Sequence, residues 1–134
     1  MNRRLQTLEN NIAELRKMHA DYTVQDIQRD KTKEWALRYG LLESIQIVID
    51  LSCHLVVHQN LGNAETYADC ISLLGEYDIL DEELVEHLKG MAGLRNILVH
   101  EYVAIDIERL FNMLNRLDDF SQFSLKINDR FGEG

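Results

Sequence analysis

The segment Arg95-Asn96-Ile97-Leu98-Val99-His100-Glu101-Tyr102 gathers an arginine, an amide, a histidine and a phenol within eight residues. Nowhere else in the 134-residue chain do these four types fall so close together. A guanidinium carries a permanent charge and a fork of donors that fits phosphate oxygens. An imidazole moves protons near neutral pH. The segment therefore has the groups for chemistry at a phosphate.

Spacing limits how one helix could use them. Residues advance about 100° each on a regular helix, so Arg95 and Tyr102 share a face and Asn96 and His100 share an adjacent one. Arg95 and His100 diverge by roughly 140° on the same geometry. One chain aims both at one phosphate only if the helix bends or ends near Val99. Two chains packed about a two-fold axis could instead combine their segments in one cleft. An exposed Arg and His with a half-buried Tyr are also ordinary helix residues, so a purely structural role stays open.

The elements that must carry the segment are helical. Proline is absent, which lets helices run long. No hairpin dipeptide and few alternating β-branched stretches appear. Leu5, Leu8, Ile12, Leu15 and Met18 form one amphipathic stripe, extended by Tyr22. Thr23 and Asp26 predict a capped short turn with Val24 and Ile27 against the core. A second long helix is expected from Thr32 to Leu61, with Gly62 as its left-handed stop. It is apolar on most of its circumference beyond Gly40, which predicts a central position. Glu43, Gln46, Asp50 and His54 interrupt it as one polar stripe, facing solvent, the motif cleft or a subunit interface. His54 and His58 are four apart, but no glutamate of a His-Glu-x-x-His zinc site stands between them.

Ala64 to Leu74 reads as a shorter helix with Tyr67, Cys70, Ile71 and Leu74 on one face and Gly75 closing it. Asp81 is a good N-cap for the helix that runs through Leu84, Leu88, Met91, Leu94 and Leu98 into the motif. Gly90 and Gly93 weaken that helix by about 1 kcal/mol each relative to alanine, which points to a close helix approach or a kink. Asp106 caps a last helix with Ile107, Leu110, Met113, Leu114, Leu117, Phe120 and Ile127 on its apolar face.

Composition bounds the function. Apolar content is 46%, and a chain of this length suits one domain, residues 1–134. The formal net charge is −9, with no Lys or Arg between residues 39 and 88. A strong non-specific hold on nucleic acid needs a basic surface, so any such contact must be local, shared between two copies or assisted by a partner. Glu43, Asp50, His54 and His58 interrupt the most apolar stretch, which argues against a membrane span. No export signal is visible near Met1, and Cys53 and Cys70 lack metal or redox spacing. They read as reduced, buried thiols of a cytoplasmic protein.

The run Gly93 to Tyr102 resembles the Arg-x-x-x-x-His-x-Tyr motif of HEPN-domain ribonucleases of the HepT-like toxin class. The long second helix, the short helix after Asn63 and the Asp81-Glu82-Glu83-Leu84 start also match. The resemblance implies an all-α, up-and-down HEPN bundle of about five helices, and a homodimer. It implies a metal-independent endoribonuclease with no cofactor, the toxin of a type VII-like HepT/MntA toxin–antitoxin pair. RNA would be the substrate, and a minimal nucleotidyltransferase the antitoxin partner. On this resemblance Arg95 and His100 are catalytic and Asn96 supports them. Tyr102 accepts AMP from the partner, which silences the toxin.

RNA cleavage by its own 2′-hydroxyl needs a base, an acid and positive charge on the phosphorane. His100 suits the proton transfers and Arg95 the phosphate. One histidine cannot be base and acid at once, so a second His100 across a dimer would help. Two rivals remain: a non-catalytic helical subunit that binds nucleotide or substrate for a nucleotidyltransferase, and a plain interaction bundle.

Overall fold

Helices occupy nearly all the described residues of the computed structural model, which are 2–100 and 106–132. In chain order they are α1 (Asn2–Asp21), α2 (Val24–Arg29), α3 (Lys31–His58), α4 (Tyr67–Glu76), α5 (Glu82–Val99), α6 (Ile107–Asn112), a 3₁₀ turn (Met113–Arg116) and α7 (Leu117–Phe131). The fold is the expected all-α bundle. Its last expected helix is two α segments joined by the 3₁₀ turn.

Packing follows the apolar stripes. Leu5, Leu8, Ile12 and Leu15 of α1 are buried where that helix packs on α3 and α7. The central helix α3 also meets α4 and α5, and its buried residues run from Leu37 to Val56. By length and composition α3 could cross a membrane, but more than half of its most apolar window is buried inside the bundle. That burial explains its near-continuous hydrophobicity. Phe120 and Phe123 of α7 are fully enclosed, and aromatic side chains of that size dominate a core's apolar area.

Local capping sets the boundaries. The Thr23–Asp26 capping box is present. A second box, Thr66–Asp69, starts α4 at Tyr67, three residues after the expected Ala64. Asp81 accepts from the Leu84 N–H at 2.9 Å, and Asp106 accepts from Glu108 at 3.0 Å. The C-termini differ from expectation. Asn60, at φ 52°, takes the αL conformation that ends α3, and Gly62 follows it with a positive φ of 139° in the connection. Leu61 N–H then donates to Val56 O at 3.0 Å, the closing bond of a Schellman cap. Asp78 does the same after α4, at φ 59°, with Ile79 N–H donating to Leu74 O at 2.9 Å. Gly75 therefore lies inside α4 and does not close it. Its role is close approach, since a Cβ there would stand 2.7 Å from Cγ2 of Val85 on α5.

The cysteines overturn one expectation. Cys53 of α3 and Cys70 of α4 form a disulfide, with Cα atoms 5.0 Å apart. Their separation of 17 positions hides a pairing that exists only because the α3–α4 turn brings the two helices side by side.

Candidate active site

Arg95 is held from three directions. Its Nε donates to Oε1 of Gln46 at 2.6 Å. Its Nη1 donates to Oδ1 of Asn96 at 3.3 Å. The guanidinium lies over the Tyr67 ring, 5.2 Å from its centroid, within the range of a cation–π contact. Gln46 is itself oriented, because its Nε2 donates to Asp50 at 2.8 Å. With the amide nitrogen committed to a carboxylate, the amide oxygen is left to accept from Arg95. Two bonds do not exhaust the five donors of a guanidinium.

The divergence of Arg95 and His100 persists at the end of the helix. Helix α5 ends at Val99, and His100 is its C-cap, with extended dihedrals φ −86° and ψ 94°. Its φ stays near the helical value, so the His100 side chain leaves the backbone close to the direction a continuous helix would give it, and the extended ψ turns only the chain that follows. Nη2 of Arg38 donates to the His100 carbonyl at 3.1 Å and anchors this end of α5 to α3. A cation at the C-terminus of a helix also complements its dipole. Glu101 and Tyr102 lie outside the described residues, so the expected tyrosine of the motif has no position here.

The polar stripe of α3 divides between different partners. Gln46 meets the motif and Asp50 stands behind it. Glu43 instead accepts from Asn11 Nδ2 and from the Tyr39 hydroxyl, each at 2.8 Å. That bond and the Glu43 charge raise the Tyr39 phenol above its ordinary pKa. His54 stacks with His58, ring centroids 3.9 Å apart. Partial desolvation, then repulsion from a charged His58, lowers the His54 pKa. Among the described residues no group of three or more His, Cys, Asp or Glu side chains is arranged to hold a metal ion.

Two members of this site were not expected. Tyr67 was placed on the apolar face of its helix, yet it is exposed and carries Arg95. Arg38 stands 62 positions from His100. No local pattern marks either, because each is recruited only by helix packing.

The model of the family described as ribonuclease HepT-like matches residues 8–127. The chain belongs to the HepT-like ribonuclease family. An mRNA nuclease HepT from Shewanella oneidensis is 26% identical over 121 residues, covering 90% of each chain. A tRNA nuclease HepT from Aphanizomenon flos-aquae is 33% identical over 84 residues, 62% of this chain and 57% of that protein. In three dimensions the chain resembles the tri-AMPylated Shewanella oneidensis HEPN toxin, solved in complex with its MNT antitoxin. The TM-score is 0.84 at 26% identity, with 95% of both chains covered. The HepT-like assignment agrees with the motif and with the order of the major helices.

Proposed function

We propose that the chain is the ribonuclease toxin of a toxin–antitoxin pair and cuts RNA without a metal ion. The observation that carries this reading is Arg95, held by Gln46, Asn96 and Tyr67 on the helix that ends at His100. Arg95 meets the phosphate and stabilises the charge that builds on the phosphorane. His100 moves protons as the 2′-oxygen attacks phosphorus and the 5′-oxygen leaves, which yields a 2′,3′-cyclic phosphate. Asn96 positions Arg95 through its amide oxygen. These roles use a side-chain cation and an imidazole, so no ion is required by the chemistry. The two relatives are called mRNA and tRNA nucleases, which supports RNA as the substrate.

The antitoxin in this reading is a minimal nucleotidyltransferase that transfers AMP to Tyr102. Support comes from the structural relative, described as tri-AMPylated and bound to an MNT antitoxin. The reading includes a homodimer, which would supply the second His100 as acid or base.

The test is cleavage of RNA by the purified chain in excess chelator, beside His100→Ala and Arg95→Ala. Cleavage to a cyclic phosphate is expected from the unmodified chain. His100→Ala should abolish it, and Arg95→Ala should cost about a hundredfold or more in kcat. Cleavage that persists in His100→Ala, or that chelator stops, overturns the mechanism. The net charge of −9 favours the rival reading of a non-catalytic, nucleotide-binding subunit. An intact chain that binds the antitoxin but never cuts RNA would establish that rival.

A further inference from the structure

An open cavity of about 500 Å³ lies between the first turns of α3 and the end of α5. Lys31, Trp35, Arg38 and Tyr39 line it from α3, and Leu98 and Val99 face them from α5. Its volume falls in the ordinary range for small-ligand sites, about 300–1,000 Å³.

Three features distinguish this recess from a plain apolar groove. Trp35 is 61% exposed and Tyr39 57% exposed, and residues four apart are neighbours on a helix face. The chain's only tryptophan thus stands in water beside a second ring. The Tyr39 ring is fixed at its far edge by the bond from its hydroxyl to Glu43. Next, two cations flank the rings in a chain that is acidic as a whole. Lys31 Nζ lies 2.8 Å from Glu34, with its side chain still 68% exposed, and an ammonium has three donors. Arg38 lines the cavity and spends one Nη2 hydrogen on the His100 carbonyl, of the five donors a guanidinium carries. Finally, the recess adjoins the motif. Arg38 bonds the His100 carbonyl, and Val99 is the residue before His100.

We infer that this cavity holds one unpaired nucleotide of an RNA strand beside the phosphate that His100 acts on. The base stacks on Trp35 and Tyr39, and Lys31 and Arg38 meet the sugar–phosphate backbone. The inference rests on the ribonuclease reading, which requires a nucleotide on each side of the phosphate at His100. Aromatic rings interleaved with cations are the usual means of gripping single-stranded nucleic acid, because every base has a π-face. Unpaired bases are also the part of RNA that can be splayed onto side chains. Stacking of this kind tolerates any base, so the site should add affinity with little sequence preference. It also supplies the local grip that the overall charge of −9 withholds.

A chain with one tryptophan allows a direct test. The full chain carrying His100→Ala, which should bind without cutting, is titrated with a short single-stranded oligoribonucleotide. Trp35 emission should be quenched saturably, in step with the anisotropy of the labelled RNA. In the otherwise unmodified chain, Trp35→Leu should raise KM for RNA about tenfold with kcat within about twofold, whereas Trp35→Phe should stay close to the parent. Trp35 is exposed, so both variants should keep the parent Tm. Bound RNA that leaves Trp35 emission unchanged overturns the inference, as does an unchanged KM in Trp35→Leu. Emission that follows protein concentration and ignores RNA also overturns it, and assigns the face to a second copy of the chain. If the parent neither binds nor cuts RNA, the ribonuclease reading fails first and the inference falls with it.

Discussion

Nε of Arg95 and Oε1 of Gln46 lie 2.6 Å apart, joining residues 49 positions distant in the chain. A guanidinium tethered through Nε, with one Nη1 hydrogen on Asn96, keeps Nη2 and the second Nη1 hydrogen for a ligand. Gln46 in turn is locked by Asp50. Gln46→Leu should therefore lower kcat ten- to a hundredfold with a smaller change in KM, because the arginine is present but no longer aimed. Steady-state kinetics check this, with Tm as the control for folding. Equal losses in kcat and Tm would make Gln46 a merely structural residue.

Gly90 and Gly93 face open space. A Cβ at either position meets nothing within 4 Å, so no helix among the described residues explains them. Gly90→Ala should stabilise an isolated chain by up to about 1 kcal/mol through helix propensity. If two chains meet there, as the proposed homodimer requires, Gly90→Arg should instead release monomers. Sedimentation of the parent and of both variants distinguishes these outcomes. A parent that is monomeric at working concentration rules the homodimer out.

Tyr102 is the proposed acceptor of AMP. Incubation with the nucleotidyltransferase partner and ATP should add AMP to the chain and stop RNA cleavage. Each AMP brings a phosphate charge and a bulky base to the segment that carries Arg95 and His100. Tyr102→Phe keeps the ring and removes the acceptor oxygen, so it should stay active and resist silencing. Intact mass and cleavage after incubation check both. Equal AMP gain on Tyr102→Phe would exclude this residue as the switch.

The Cys53–Cys70 disulfide clasps α3 to α4, the helices that supply Gln46 and Tyr67 to Arg95. Closing a loop with a separation of 17 residues restricts the unfolded chain by about 3 kcal/mol. Reduction should lower Tm by roughly 10 °C. Thermal melts with and without reductant, paired with thiol titration, measure this. A Cys53→Ser, Cys70→Ser chain should be insensitive to reductant.

His54 gives the fold a dependence on mildly acidic pH. The His54 pKa is lowered from its ordinary 6.5 by desolvation and then by repulsion from His58. The unfolded chain therefore takes up its proton first as pH falls. Stability from this group is complete above its unfolded pKa and is lost as pH drops through the folded one. His54→Gln should flatten the decline in denaturant midpoint just below neutrality, relative to the parent. An identical pH profile in the variant would remove His54 as the cause.

Much of this protein is written locally in its sequence. Helix type, the Thr23, Asp81 and Asp106 caps and the core stripes depend on residues within a turn or two of one another. Periodicity therefore reveals them. The site candidates Arg95, Asn96 and His100 were legible for the same reason, as types at fixed spacing. Their arrangement was not. Gln46, Tyr67 and Arg38 reach the motif only after α3, α4 and α5 pack, and Cys53 reaches Cys70 in the same way. The end of α5 at Val99, with His100 as its C-cap, shows the limit well. No glycine or proline marks that boundary in the sequence. In the folded chain Arg38, from a helix 62 residues earlier, holds the His100 carbonyl, because a helix end is stabilised by whatever group can satisfy its open carbonyls.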